Sequence, residues 1–196
     1  MKIKILISVY NDFESASKLI NDINSEITNL SQEFSIILVN DASTDKVEID
    51  VSKIDKINSI KIINMKENRG HARCNAAGLK YIFENEEFDY VIPMDGDGED
   101  RPEEILKFVE IIKYNNSKPI VGERIKRSEG LFFKLSYTVH KLITYVFTGH
   151  SIKFGNYTCL PRATVEKMIN EKATWSSFSG SLAKLEKNRS TISSIR

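Results

Sequence analysis

Aspartate is missing from the second half of this 196-residue chain, since none follows Asp100. Residues 1–100 carry 11 basic and 19 acidic side chains, whereas residues 101–196 carry 17 basic and 8 acidic ones. The formal net charge of +1 therefore conceals two halves of opposite sign. Electrostatic fields act locally, so this asymmetry says more about binding partners than the total charge does.

Cysteine, proline and glycine are also scarce, with 2, 4 and 9 residues. Together with 41% hydrophobic residues, this composition excludes a disordered or collagen-like chain. Cys74 and Cys159 are too few and too far apart for a disulfide scaffold or a zinc knuckle, which favours a reducing compartment. The length suits one domain with one sizeable core.

Long hydrophobic runs are absent as well. No window approaches the roughly 18–20 apolar residues of a membrane span, and the apolar stretch near the N-terminus is too short for the core of a signal peptide. We therefore expect a cytoplasmic protein that is soluble or peripheral, and that lies at the cytoplasmic face of a membrane if it is peripheral.

What the sequence does contain is an alternation of strand and helix signals. Strands are predicted at residues 3–9, 34–39, 60–64, 88–94 and 119–121, and helices at 13 to about 30, near 46–54, at 72–86 and from Pro102 onwards. This order predicts an α/β fold with a mostly parallel sheet and helices on both faces.

A polar cluster follows each of the first four predicted strands, at residues 10–12, 40–45, 68–71 and 95–100. In such sheets ligands bind beyond the carboxyl ends of the strands. Four clusters delivered to one edge predict a binding site there, and this joint signal is stronger than that of any single cluster.

The fourth cluster places Asp95, Asp97 and Glu99 at alternate positions on a glycine-rich turn. Hard oxygen ligands at this density suit Mg²⁺ or Mn²⁺, and magnesium commonly completes its shell with phosphate oxygens. The alternative is a solvated turn rich in Asp and Gly, which is common between a strand and a helix. The position beside the other clusters favours a metal that bridges the protein to a diphosphate.

The other clusters offer groups for a nucleotide. Asp41 follows its strand directly, where a carboxylate can accept from a base or a ribose, while Tyr10 offers a flat face and Asp12 a second acceptor. His71 opens a helix together with two arginines, an arrangement that attracts phosphate. For His71 the alternative is an ordinary surface residue.

These residues resemble the motifs of family 2 glycosyltransferases. The matching segments, in order and spacing, are Ser8-Val-Tyr-Asn-Asp12, Val39-Asn-Asp-Ala-Ser-Thr-Asp45, Asn68-Arg-Gly-His-Ala-Arg-Cys-Asn-Ala-Ala-Gly78 and Met94-Asp-Gly-Asp-Gly-Glu-Asp-Arg-Pro-Glu-Glu-Ile105. The closer likeness is to the dolichol-phosphate mannose synthase and polyprenyl-phosphate glycosyltransferase branch, where Asp95, Asp97 and Glu99 fall on metal positions. The resemblance implies the GT-A fold with its Rossmann-like sheet.

The resemblance also implies an activity, which is an inverting transfer from a UDP- or GDP-linked sugar that depends on Mg²⁺ or Mn²⁺. The metal would be held by Asp95, Asp97 and Glu99, with Asp97 and Glu99 as catalytic positions. The nucleotide sugar would be bound by Tyr10, Asp12, Asp41, His71, Asp95 and Arg124. Arg124 is included because Val121-Gly-Glu-Arg124 resembles a Gly-Ser-Arg motif whose arginine faces the phosphates.

The acceptor is inferred from an absence. Related enzymes that act on sugar hydroxyls carry a Glu-Asp pair well after the metal motif, and here no Asp follows Asp100. A phosphate acceptor is already an anion and needs no strong general base. We therefore expect a lipid phosphate acceptor of the dolichyl or undecaprenyl type, with Lys134 and Arg162 as candidates for contacting its phosphate. The segment Phe154-Gly-Asn-Tyr-Thr-Cys-Leu-Pro-Arg162 resembles the acceptor side of that branch, with Asn156 close to where an Asp is common.

We thus expect a single domain, with residues 1–123 binding the nucleotide sugar and residues 124–196 facing the acceptor or a membrane. Residues 131–147 predict a helix that is either a core helix or an interfacial helix in peripheral contact with anionic lipid. No nucleic acid is expected, because no reader motif accompanies the basic charge. The polar end at Arg196 predicts a short family member or a C-terminally truncated one.

Three other functions stay open at this point. One is a hydroxyl-directed glycosyltransferase of cell-surface polysaccharide synthesis, which acceptor assays would separate. A nucleotidyltransferase should carry a glycine-rich loop after the first strand, whereas residues 8–12 contain no glycine. A non-catalytic nucleotide-binding module would bind nucleotide and metal without turning over the donor.

Overall fold

The computed structural model describes residues 1–114, 117–124 and 154–194. These residues form seven strands and five α-helices. The strands are β1 Lys2–Val9, β2 Glu33–Asn40, β3 Ile57–Asn64, β4 Tyr90–Asp95, β5 Ile120–Arg124, β6 Phe154–Pro161 and β7 Ser190–Ser194. The helices are α1 Phe13–Glu26, α2 His71–Asn85, α3 Ile105–Tyr114, α4 Arg162–Asn170 and α5 Phe178–Leu185, with 3₁₀ turns at Ile27–Asn29, Pro102–Glu104 and Lys172–Trp175.

The strands form one sheet in the order β3-β2-β1-β4-β6-β5-β7. Strands β1 to β4 are parallel to one another, and β5 is parallel to β7. Strand β6 runs antiparallel to both of its neighbours, β4 and β5. The predicted mostly parallel sheet is confirmed, and the carboxyl ends of β1, β2 and β4 meet at one edge as expected.

Two hydrophobic cores lie on opposite faces of this sheet. Ile3, Ile5 and Ile7 of β1 belong to the core that also contains residues of α1 and α3. Leu6, from the other face of β1, belongs to the core shared with α2, α4 and α5. Because successive side chains of a strand point to opposite faces, burial on both faces explains the near-continuous apolar runs of β1 and β2.

The helix predicted near residues 46–54 is wrong, since this segment contains neither helix nor strand. Its backbone carbonyls are bound from α1 instead. Asn24 Nδ2 donates to the Lys53 carbonyl at 3.2 Å, and Ser17 Oγ donates to the Glu48 carbonyl at 3.3 Å. Ile49 and Ile54 pack against the core at the same time. These contacts satisfy an extended chain, and its β-branched and Asp residues favour helix only weakly.

The remaining predicted elements of the first 124 residues are confirmed within a few residues. Strands β6 and β7 and helices α4 and α5 had no prediction. The helix predicted at residues 131–147 lies outside the described residues. Within the described ranges, no helix combines the length and the apolar character that crossing a membrane requires.

Candidate functional site

Ser8 and Asp95 are neighbours at the edge of the sheet, because parallel pairing sets them in register near the ends of β1 and β4. A pocket of about 290 Å³ opens beside them. It is lined by Ser8, Val9, Tyr10, Asp12, His71, Asp95, Gly96, Asp97 and Asn156. Five of the predicted site residues, namely Tyr10, Asp12, His71, Asp95 and Asp97, are therefore brought together by the fold.

His71 lies at the centre of the polar contacts in this pocket. Its Nδ1 lies 2.8 Å from Ser8 Oγ, and its Nε2 lies 3.1 Å from Asp95 Oδ1. Two amide groups also reach Nε2, that of Asn75 at 2.8 Å and that of Asn156 at 2.6 Å. His71, the first residue of α2, thus contacts side chains of β1, of β6 and of the acidic turn, which we define as residues 95–101.

Asp95 favours the protonated form of the His71 imidazole. The hydrogen bond to Asp95 raises the pKa of His71 above its usual value, with support from the nearby carboxylates of Asp97 and Asp100, while partial burial opposes the shift. A protonated imidazole here would offset part of the negative charge of the acidic turn.

The start of α2 is positioned by Asp41. One carboxylate oxygen of Asp41 accepts from the backbone N–H of Arg69 and the other from that of Gly70, both at 2.8 Å. Gly70 has a φ of +82°, a conformation that suits glycine. Asp41 is buried, with 4% of its surface exposed. The two N–H groups that precede the helix therefore bind this carboxylate, and the contact of Asp41 with a nucleoside stays a prediction.

The acidic turn after β4 approaches β1 closely. A Cβ on Gly96 would lie 2.7 Å from the Ser8 carbonyl oxygen, so only glycine fits there without displacing backbone. The Asp95 N–H donates to Asp100 Oδ2 at 2.8 Å, and the Glu99 N–H donates to Asp97 Oδ1 at 2.9 Å. The turn is thus held by its own carboxylates as well as by the close packing against β1.

Two of the three predicted metal ligands, Asp95 and Asp97, lie together at the pocket. Asp95 and Asp97 both line the pocket, whereas Glu99 is exposed and is not among the lining residues. Across the described ranges, no group of three or more His, Cys, Asp or Glu side chains is gathered closely enough to hold a metal ion. Two carboxylates suffice for Mg²⁺ or Mn²⁺ when phosphate oxygens and water complete the shell.

The loop after β1 lines the other side of the pocket through Tyr10 and Asp12, and the loop after β2 holds it in place. Asn11 has a φ of +51°, and its Oδ1 accepts from the Thr44 N–H at 2.8 Å. Its own N–H donates to Ser43 Oγ at 3.0 Å. Tyr10, beside this joint, is 51% exposed, and Asp12 caps α1 by accepting from the Ser15 N–H. An exposed aromatic ring on a braced loop is a suitable platform for a planar base.

A family model described as Glycosyl transferase family 2 matches residues 4–177, which is most of the chain. The chain belongs to glycosyl transferase family 2. Its fold is accordingly GT-A, and the pocket lies at the sheet edge where four motifs of the family converge.

The curated relatives of this family 2 chain include two proteins that share one name with each other. The undecaprenyl-phosphate 4-deoxy-4-formamido-L-arabinose transferase of Photorhabdus laumondii is 31% identical over 183 residues, which cover 89% of this chain and 54% of that protein. The protein of that description from Salmonella choleraesuis is 29% identical over 170 residues, covering 86% and 50%. The chain thus spans about half the length of the curated relatives that it matches.

Solved structures agree on the fold. S. aureus TarS 1–349 in complex with UDP-GlcNAc superposes with a TM-score of 0.61 at 18% identity, covering 100% of this chain and 58% of that one. The mannosyltransferase PcManGT from Pyrobaculum calidifontis, in complex with GDP-Man and Mn²⁺, gives a TM-score of 0.63 at 15% identity, covering 99% and 56%.

Not every predicted residue of this family 2 domain joins the pocket. Arg162 begins α4 at the opposite edge of the sheet, where its guanidinium lies 4.8 Å from the ring centre of Phe83 and 4.7 Å from that of Phe88. It lines a separate open groove of about 440 Å³ with Lys2, Glu87 and Asp89, among others. The structure therefore does not bring Arg162 together with the acidic turn. Arg124 ends β5, and Lys134 lies outside the described residues.

Three contributors to the pocket network carried no site prediction. Ser8 is found through its register with Asp95, which depends on strand pairing. Asn75 lies one helical turn after His71, so the predicted helix already places the two side chains on the same face. Asn156 comes from β6, more than sixty residues from Asp95 in sequence, and only its place in the acceptor-side motif draws attention to it.

Proposed function

We propose that this chain is the donor-binding domain of an inverting, metal-dependent glycosyltransferase. It would transfer a sugar from a nucleotide diphosphate sugar to a polyprenyl phosphate. The observation that carries the proposal is the pocket in which Asp95 and Asp97 meet Tyr10, Asp12 and His71 at the carboxyl edge of the sheet. Membership of glycosyl transferase family 2 supports the reaction class.

The donor would lie across the braced loops towards the acidic turn. Tyr10 offers its exposed ring to the base, and the hydrogen bond from Asn11 to Ser43 holds the backbone next to it. The sugar diphosphate would then extend past Ser8 towards Asp95 and Asp97. The arrangement suits UDP- and GDP-linked donors alike, because the contact proposed for Tyr10 is to the face of the base rather than to its edges.

Asp95 and Asp97 would hold a Mg²⁺ or Mn²⁺ ion, and Glu99 would join them only through a movement of the turn. Such an ion would stabilise the charge that develops on the leaving diphosphate. His71, in contact with Asp95 at 3.1 Å, orients that carboxylate and moderates the negative charge of the pocket.

A phosphate acceptor is supported by two independent observations. The chain has no Asp after Asp100, so it carries no Glu-Asp pair beyond the metal motif to deprotonate a hydroxyl. Two of the curated relatives are undecaprenyl-phosphate 4-deoxy-4-formamido-L-arabinose transferases by name. A lipid phosphate would place the working enzyme at a membrane surface, and the cytoplasmic face suits a chain with two free, buried cysteines.

Donor binding is tested by thermal shift with a panel of UDP- and GDP-sugars, with and without Mn²⁺. We expect stabilisation by one nucleotide class only when metal is present, and we expect Asp97→Asn to abolish it. Asp22→Asn makes the same charge change at an exposed position of α1 and serves as the matched control. Equal stabilisation of the wild type and the Asp97 variant would refute the metal site.

Acceptor class is tested by offering the stabilising donor with undecaprenyl phosphate or dolichyl phosphate in detergent, and separately with hydroxyl acceptors such as free glycans. Transfer to the lipid phosphates alone supports the proposal. Transfer to glycans would identify a hydroxyl-directed enzyme, and metal-dependent binding without transfer or donor hydrolysis would identify a binding module.

A further inference from the structure

Two consecutive residues of β6, Asn156 and Tyr157, contact opposite ends of the acidic turn (residues 95–101). Asn156 Nδ2 donates to Asp95 Oδ1 at 3.3 Å, at the first residue of the turn. The hydroxyl of Tyr157 donates to the carbonyl of Arg101 at 2.7 Å, at its last residue. Strand β6 therefore holds both ends of the segment that carries Asp95 and Asp97.

A third hydrogen bond joins two residues of the turn itself. Asp100, which is fully buried, accepts the backbone N–H of Asp95 at 2.8 Å. Arg101, whose carbonyl binds Tyr157, is the next residue. The Tyr157 hydroxyl is thus connected to the backbone of Asp95 through Arg101 and Asp100.

Tyr157 is itself rigidly placed. It is 1% exposed, and its ring packs edge-on against Phe108 of α3 with 5.0 Å between ring centres. Burial, with help from the nearby carboxylates of Asp100 and Glu104, raises the pKa of Tyr157 well above its usual value. The hydroxyl therefore keeps its proton at neutral pH and can donate a hydrogen bond.

We propose that Tyr157 is a positioning residue for the metal site, and that its hydroxyl holds the acidic turn in the shape that binds a divalent cation. The inference rests on the proposed function, because it presupposes that Asp95 and Asp97 hold the ion. Removing the hydroxyl leaves the Arg101 carbonyl bound, within the described residues, only by the Glu104 N–H, at 3.1 Å. The Arg101 end of the turn is then held less tightly, and the turn is less well ordered for Asp95 and Asp97 to bind the ion. Outer partners of this kind commonly change metal affinity by about 10–100-fold.

The test compares Tyr157→Phe with Thr174→Val in the full chain. Both changes delete a buried hydroxyl that donates to a backbone carbonyl at 2.7 Å, but Thr174 bonds the carbonyl of Met168, outside the pocket. Mn²⁺ is titrated into each protein in the presence of saturating UDP or GDP. We expect the apparent dissociation constant for Mn²⁺ to rise about tenfold in Tyr157→Phe and to stay within about twofold of wild type in Thr174→Val.

A second readout needs no metal. Amide hydrogen exchange at Asp95, whose N–H is bound by Asp100, should become faster in Tyr157→Phe than in wild type, while amides of β1 keep their protection. Unchanged Mn²⁺ affinity or unchanged Asp95 exchange in the folded Tyr157→Phe protein would overturn the inference. A wild-type protein that binds no Mn²⁺ with either nucleotide would instead overturn the proposed function, so the two failures are distinguishable.

Discussion

The hydroxyl of Ser8 lies 2.8 Å from His71 Nδ1, while the other ring nitrogen of His71 lies 3.1 Å from Asp95, the register partner of Ser8. One imidazole therefore spans two adjacent strand ends. His71 therefore connects the end of β1 to the acidic turn, and Ser8 is linked to the Asp95 carboxylate through the imidazole.

The first prediction concerns the contacts of His71 with Ser8 and Asp95. His71→Gln should lower kcat/KM for the nucleotide sugar by about tenfold, because Asp95 loses an orienting partner. Ser8→Ala should lower it less, and the double variant should be no worse than His71→Gln alone. Steady-state kinetics of the four proteins form a double-mutant cycle. Additive losses would show that Ser8 and His71 act independently.

The second prediction concerns the start of α2. Asp41→Asn should lower the free energy of unfolding by about 1–3 kcal/mol, since one of two backbone N–H groups loses its charged acceptor. Asp45→Asn, at an exposed position in the same loop, should change it by less than about 0.5 kcal/mol. Urea denaturation measures both values. Equal stability of the two variants would contradict the bonds from Arg69 and Gly70.

The third prediction concerns the approach of the acidic turn to β1. In Gly96→Ala the new Cβ would press on the Ser8 carbonyl, so stability should fall by about 1–3 kcal/mol and metal-dependent nucleotide binding should weaken. The matched control is Gly78→Ala in α2, whose Cβ would meet Leu6 Cδ1 at 2.3 Å in the core. That variant should lose stability alone. Calorimetric nucleotide titration of the two folded proteins distinguishes them.

The fourth prediction concerns an ion-pair network at the far end of α2. Glu86 accepts from Lys4 at 3.0 Å and from Lys61 at 2.6 Å, and its side chain is 8% exposed. Burial alone would raise the pKa of Glu86, but the hydrogen bonds from Lys61 and Lys4 outweigh it, and the pKa is lowered. The carboxylate therefore stabilises the fold above its ordinary pKa of 4.5, and this contribution is lost as the pH falls through the lowered value.

Glu86→Gln should accordingly cost about 2 kcal/mol of stability at neutral pH. The difference from wild type should shrink at an acidic pH below the lowered pKa of Glu86, where the wild-type carboxyl takes up its proton. Chemical denaturation at both pH values gives the comparison. A difference that stays constant with pH would show that packing, rather than charge, stabilises this position.

The sequence predicted much of the first 124 residues because strand and helix periodicity is a local property. The turn after β4 was located from its glycines and from Asp95, Asp97 and Glu99, which follow a predicted strand directly. Residues 46–54 were mispredicted because Asn24 and Ser17 of α1 bind the carbonyls of that segment, and such long-range contacts leave no local pattern. Arg162 was grouped with the phosphate candidates, but the antiparallel direction of β6 carries it to the opposite edge of the sheet.

By itself the sequence determined the α/β class, the edge at which the polar clusters gather and the family to which the chain belongs, since each depends on residues that are close in sequence. Only the tertiary structure decided which of these groups meet. Strand register placed Ser8 beside Asp95, and the return of β6 brought Asn156 and Tyr157 to the acidic turn. A side chain's chemistry is fixed by its type, but its partners are fixed by packing between distant segments.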